Sequence, residues 1–124
     1  MSSSLDFGSL AELRKEKVNP SDALDDYYIG LEHIEKDSLR ISGHGYGRDV
    51  DSQKQRFYKG DILFGKLRPY FRKVAVADFD GICSTDIWVV RPKLESDRQF
   101  VFYWMASREF IEKATQGAEG GRMP

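Results

Sequence analysis

The chain has little of what most catalytic and metal sites are built from. It holds one cysteine, Cys83, and two histidines, His33 and His44, in 124 residues. A single thiol excludes an intrachain disulfide framework and fits a reducing compartment. The histidines, eleven positions apart, and the lone cysteine match no metal-ligand spacing. No apolar run approaches the roughly 18 residues needed to span a membrane. The opening MSSSLDFGSL has neither the basic nor the apolar stretch of a signal peptide. The chain is therefore expected in the cytoplasm. Strong net charge is also missing. At −1 overall and a pI near 6.1, the total gives no sign of a polyanionic partner.

A 40% hydrophobic and 13% aromatic composition is enough to bury a core, and the length suits one domain or part of one. The charge is unevenly spread. Residues 1–39 carry four Lys/Arg against nine Asp/Glu, residues 40–93 eleven against six, and residues 94–124 four against five. Between Lys54 and Lys73, seven cations stand against Asp61 alone. A net-neutral protein can still present one positive face that steers an anionic partner.

Local patterns set the expected elements. Ser9-Leu10-Ala11-Glu12 has the form of a capping box and predicts a short helix to about Lys17, with Leu10 and Leu13 inward. Asn19-Pro20 ends it. Tyr27–Ile29 and Leu39–Ser42 are short strand candidates, with Leu31 and Ile34 as core positions between them. Gly43-His44-Gly45-Tyr46-Gly47 reads as a loop. Ile62–Leu67 and Lys73–Ala77 read as strands, the second with one buried face because Val74 and Val76 alternate with alanines. Ile82–Arg91 is a further strand broken near Ser84-Thr85, closed by Pro92. After the second capping box, Ser96–Gln99, one long helix is predicted. Its core stripe is Phe100, Tyr103, Trp104, Ile111 and Ala114, with Gly117 just past its end. No internal repeat or long heptad pattern is present.

Catalytic chemistry finds little support. Cys83 lies in an apolar strand context, where a free cysteine behaves as a small hydrophobe. The glycines at 43, 45 and 47 lack the strand–glycine–helix setting of a phosphate loop. The strongest chemical signal is GKLRPYFRK, Gly65–Lys73. Arg68 and Arg72 can grip phosphate or the guanine edge bidentately, Lys66 and Lys73 add point charges, and Tyr70 offers a rigid ring with a hydroxyl. Pro69 stiffens the loop and lowers the cost of ordering it. Lys54 and Arg56 extend this face, His44, Tyr46 and Arg48 form a second lip, and Arg122 in the tail is a third candidate contact.

The segment Tyr58–Pro92 resembles the target-recognition domain of type I restriction–modification specificity subunits. The matching features are KGDILFGKLRPYFRK, then an apolar strand, then DGICSTDIWVVRP. A helix leading to TQGAEGGRMP and the opening SLAELRKEK are similar to the same family, so the resemblance covers most of the chain. It implies a non-catalytic module for sequence-specific recognition of double-stranded DNA. The implied fold is α+β, a compact curled β-rich globule with a short N-terminal and a longer C-terminal helix. In that family a subunit carries two such domains separated by long helices, each reading half of a split target. The subunit docks methyltransferase subunits, which use S-adenosylmethionine, and restriction/motor subunits, which use ATP and Mg. Cofactors would thus belong to partners and none to this chain. Residues 1–124 hold one recognition domain at most, without the long spacer helices, and stop where family members usually continue. A single, partial domain is therefore expected, with a second recognition domain as a candidate partner. A protein-docking module or remnant half-subunit without DNA affinity is the alternative, motivated by the acidic first third and the abrupt tail. A Cys83-dependent enzyme is the third reading.

Overall fold

The structure is a computed structural model that describes residues 7–117. It is α+β, with two open sheets and three helices: α1 (Phe7–Leu10), α2 (Arg98–Met105) and α3 (Arg108–Gln116). The first sheet is wholly antiparallel and runs β1 (Ala11–Leu13), β9 (Ile87–Pro92), β6 (Ile62–Gly65), β7 (Val74–Val76). The second runs β2 (Lys17–Val18), β5 (Lys54–Phe57), β8 (Gly81–Cys83), β3 (Tyr27–Ile29), β4 (Gly45–Tyr46), with only the β3–β8 pair parallel. The chain passes repeatedly between the sheets, at β1–β2, β5–β6, β7–β8 and β8–β9. No described helix is long and apolar enough to cross a membrane.

Successive residues of a strand point to opposite faces, and the first sheet uses both. Ile62, Phe64, Val74, Trp88 and Val90 pack with Val101, Met105, Phe110 and Ala114 of the helices. Leu63, Ala75, Ala77, Ile87 and Val89 pack with Ile29, Phe57 and Cys83 of the second sheet. The helices, the first sheet and the second sheet are therefore three layers with two cores. Phe64 anchors the helix side: its ring stacks on Trp88, its cross-strand partner, at 5.5 Å and meets Phe110 edge-on at 5.2 Å.

This layering corrects several expectations. β7 is not buried on one face, because Ala75 faces the second sheet while Val74 and Val76 face the helices. The N-terminal helix stops at Leu10, and Ala11–Leu13 instead pair with Pro92, Arg91 and Val90. Long-range ladder bonds win over a local capping pattern that offers only one short turn. Leu39–Ser42 is no strand; it contributes one bridge, Ile41 to Ile34. The glycine-rich loop contains β4, paired with β3. Gly47 must be glycine there, since a Cβ would overlap the Ala23 carbonyl oxygen.

The C-terminal helix is two helices. Ser107 ends one and caps the next: its hydroxyl donates to the Trp104 carbonyl at 2.6 Å and accepts from the Phe110 N–H at 3.2 Å. The buried face is Val101, Met105, Phe110 and Ala114, while Phe100 and Tyr103 are 51% and 57% exposed. A stripe drawn along one uninterrupted helix loses its phase at such a break.

One buried ion pair joins the sheets. Arg14, just past β1, donates from Nε and from its terminal nitrogen to the Asp61 carboxylate at 2.7 and 2.9 Å, and the Tyr58 N–H donates to the same carboxylate at 2.8 Å. Removing one partner of a buried pair leaves an uncompensated charge. Arg14→Ala is expected to cost about 3–5 kcal/mol, read as a lowered midpoint of urea unfolding at unchanged m. A loss within experimental scatter would deny the pair this role.

Candidate nucleic-acid interface

The connector between β6 and β7, residues 66–73, is built from its two ends. Gly65 closes β6 by donating its N–H to the Lys73 carbonyl at 2.8 Å, and a Cβ there would press on the Leu31 side chain. Between them Pro69–Phe71 forms a 3-10 turn with Pro69 buried beneath it. Arg68 and Arg72, which flank the turn, have φ of 56° and 54°. This left-handed backbone costs a non-glycine residue roughly 1–2 kcal/mol, so surrounding contacts must hold it.

Arg72 provides one such contact. Its Nε donates to the Ala106 carbonyl at 2.7 Å, at the break between α2 and α3, and its guanidinium lies 3.8 Å from the Asp37 carboxylate. Lys73 also turns inward, donating from Nζ to the Leu31 carbonyl at 2.8 Å. What remains outward is Leu67 (54% exposed), Arg68 and Tyr70 (58% exposed), with Lys66 half-buried where the connector leaves β6. The connector is thus half buttress and half projection, and its cations and aromatics do not all face one way.

The other candidates separate from it. Lys54 is 7% exposed, hydrogen-bonded to Ser52 and set 5.8 Å from the Tyr28 ring, so it is not part of an open face. Arg56 is paired with Asp26 at 2.7 Å. Arg48 is paired with Asp25 and lies over the Tyr46 ring at 5.5 Å. His44 packs on Tyr27 at 4.2 Å and on Tyr46 at 5.2 Å, with Phe79 edge-on to Tyr27 at 5.0 Å. Phe79 follows the C-terminal end of β7, whereas residues 66–73 precede its N-terminal end. The lip at His44, Tyr46 and Arg48 therefore sits at the far end of that strand, beside a shallow pocket of about 370 Å³ walled by Leu39, Ile41, Val76 and Phe102. Arg122 lies outside the described residues.

Two cations that sequence reasoning did not select border the connector. The Lys36 ammonium lies 4.7 Å from the Phe71 ring centre. Exposed Arg108 shares a pocket of about 410 Å³ with Tyr70, Arg72 and Ile111. They stand some thirty residues before and after the connector, where no local pattern marks them.

Among the described residues no nucleophilic site is assembled around Cys83. Cys83 is fully buried in β8, and desolvation pushes its thiol well above the ordinary range. Both features count against a Cys83-dependent enzyme, since a thiolate is the reactive form.

No family model matches the chain. It is 32% identical over 120 residues to the type I restriction enzyme EcoDI specificity subunit of Escherichia coli, covering 95% of this chain and 27% of that subunit. The chain thus spans about a quarter of the length of this curated relative. Its fold matches a chain from a structure on complex assembly and conformational transition of the type I R-M system, with a TM-score of 0.72, 25% identity, and coverage of 88% of this chain and 30% of that one. It also matches the fold of the HsdS subunit from Thermoanaerobacter tengcongensis, with a TM-score of 0.69, 24% identity, and coverage of 86% and 29%.

Cys83 is expected to resist a thiol reagent such as Ellman's in the folded protein and to react fully on unfolding in denaturant. Rapid reaction in native buffer would reopen the catalytic reading.

Proposed function

We propose that this chain, a relative in sequence and fold of type I restriction–modification specificity subunits, recognises double-stranded DNA in a sequence-specific way. The observation that carries the reading is the projecting half of the β6–β7 connector. Exposed Arg68 and Tyr70 and half-buried Lys66 have no intramolecular ion pair or hydrogen bond to their side chains among the described residues, and Arg68 is held in the left-handed region. Unpaired cations need no partner broken before they meet phosphate. Arg68 matches phosphate or guanine O6/N7 with two parallel donors, and Lys66 and the Tyr70 hydroxyl suit single phosphate oxygens. Phosphate contacts set register, and base-edge contacts supply the sequence information.

On this reading the chain is a non-catalytic recognition domain of a cytoplasmic complex. Methyltransferase subunits with S-adenosylmethionine, and restriction/motor subunits with ATP and Mg, supply the chemistry. A second reading, a docking module without its own DNA affinity, is favoured by one observation: Phe100 and Tyr103 of α2 present their rings to solvent, with Leu94 exposed just before the helix. Retention of methyltransferase by a chain that ignores DNA at low salt would favour it.

Fluorescence anisotropy with a randomised duplex-DNA pool tests the leading reading. Binding should fall steeply between about 50 and 200 mM salt, and the Lys66→Ala/Arg68→Ala pair should flatten the log–log slope by about two, close to one for each phosphate no longer neutralised. Lys54→Met should leave the slope unchanged, because that ammonium is buried. A slope insensitive to Lys66 and Arg68 would refute the assignment to this loop.

A further inference from the structure

We infer that the DNA-contacting surface extends beyond the β6–β7 connector to Lys36 and Arg108, and that Arg72 is the residue that positions it; this rests on the DNA-reading assignment above. The first observation is where backbone strain collects. Among the described residues, four non-glycine residues have left-handed φ: Asp37 (65°), Leu39 (60°), Arg68 (56°) and Arg72 (54°). All four lie in two segments, the turn between Ile34 and Ile41 and the β6–β7 connector. Such residues persist only where surrounding contacts over-determine them, and they gather at ligand sites, where fixed geometry lowers the cost of binding.

The second observation is that the two strained segments touch, and Arg72 is the link. Besides its bond to the Ala106 carbonyl, it points a terminal nitrogen at the Asp37 carbonyl at 3.4 Å and faces the Asp37 carboxylate. Ala106 sits where α2 ends, and a helix end leaves carbonyls without intrahelical partners. Arg72 satisfies one of them and so fixes the connector to the start of α3. One guanidinium therefore holds three segments in register: the 34–41 turn, the connector and the α2–α3 break.

The third observation is what these segments carry. Lys36 reaches over the Phe71 ring, Phe71 meets Tyr70 edge-on at 5.1 Å, and Tyr70 lines a pocket with Arg108. Lys66 and Arg68 stand on the same connector. None of Lys36, Lys66, Arg68 and Arg108 makes an ion pair among the described residues. Of the nearby carboxylates, Asp37 faces Arg72, Glu35 pairs with Arg40 at 3.1 Å and Glu109 pairs with Lys113 at 3.6 Å, while exposed Asp86 beside the Lys66 backbone and exposed Glu112 one turn past Arg108 make no ion pair among the described residues. Unpaired cations from three segments that meet at one braced connector suit a run of phosphates along one DNA strand.

The test compares three variants with the unaltered chain on the randomised duplex pool across the same salt range, with thermal midpoints measured for each. Lys36→Ala/Arg108→Ala should lower the salt slope by about two, as the connector pair does. Arg72→Ala should weaken binding severalfold with the slope unchanged, because it removes a brace and no phosphate partner. Arg72→Gln, which loses the charge but keeps a donor for Ala106, should restore affinity, and it carries the test if the alanine variant does not fold. An unchanged slope for Lys36→Ala/Arg108→Ala overturns the extension and leaves the DNA reading standing if Lys66 and Arg68 still matter. A slope lowered by about one in Arg72→Gln overturns its positioning role and makes it a direct phosphate ligand. No binding by the unaltered chain removes both proposals.

Discussion

The buried pair between Arg14 and Asp61 is the constraint on which the rest of the molecule depends. Each partner stands where the chain leaves one sheet for the other: Arg14 between β1 and β2, Asp61 between β5 and β6. A carboxylate with 2% exposure must be fully satisfied or it is not tolerated. Asp61 accepts two bonds from Arg14 and one from the Tyr58 N–H, and its backbone carbonyl accepts from the Ala77 N–H at 2.8 Å. Arg14 in turn lies 4.6 Å from the Tyr58 ring centre, and its bond to Asp61 holds its pKa above the ordinary value. A buried pair of this kind adds little net stability over a well-packed apolar alternative. Its directionality acts elsewhere: a slip in either crossing would strand a charge, so the two sheets have one low-energy register.

That register explains why the β6–β7 hairpin can carry a strained connector. β6 and β7 are buried on both faces, by helices on one side and the second sheet on the other. A hairpin clamped along its length transmits little freedom to its tip. The cost of left-handed Arg68 and Arg72 is then offset by the packing beneath them and by the Arg72 bond to Ala106. Geometry that a glycine would adopt loosely is held here by arginines.

The parts of this design that were legible in the sequence are the locally encoded ones. Short apolar runs announced β6 and β9 and the valine–alanine alternation announced β7, and the break at Ser84-Thr85 divided two strands that enter different sheets. The α+β class and its likeness to specificity subunits were also legible, from motifs in Tyr58–Pro92. What failed was set at long range. β1 pairs with a strand whose Arg91 is 79 positions from Glu12, so the local capping pattern could not reveal it. The second core face of β7 is supplied by Ile29, Phe57 and Cys83, from three separate segments. At the site, the loop was legible but its facing was not. Arg72 and Lys73 look no different in sequence from Lys66 and Arg68, and only the positions of Ala106 and Leu31 turn them inward.

Folding also changes what the charge distribution means. Linear counting put the positive excess in residues 40–93 and the negative excess before them, yet folding brings the two together. Arg56 meets Asp26, Arg48 meets Asp25, Arg72 meets Asp37, and Arg91 meets Glu12 at 3.0 Å. The acidic N-terminal third is thus the counter-charge of the basic middle, and much of the apparent patch cancels in space. The field left to act outward is that of cations with no such partner, and Lys66, Arg68, Lys36 and Arg108 are gathered around one connector. The remaining pairs are not equivalent to Arg14–Asp61. Exposed pairs contribute only about 0–1 kcal/mol each, so an arriving phosphate can displace Asp25 from Arg48 at little cost, whereas nothing can displace Asp61. The fold separates its charges into those that define the structure, those that can be traded, and those already free, and four of the last group gather around the connector that Arg72 braces.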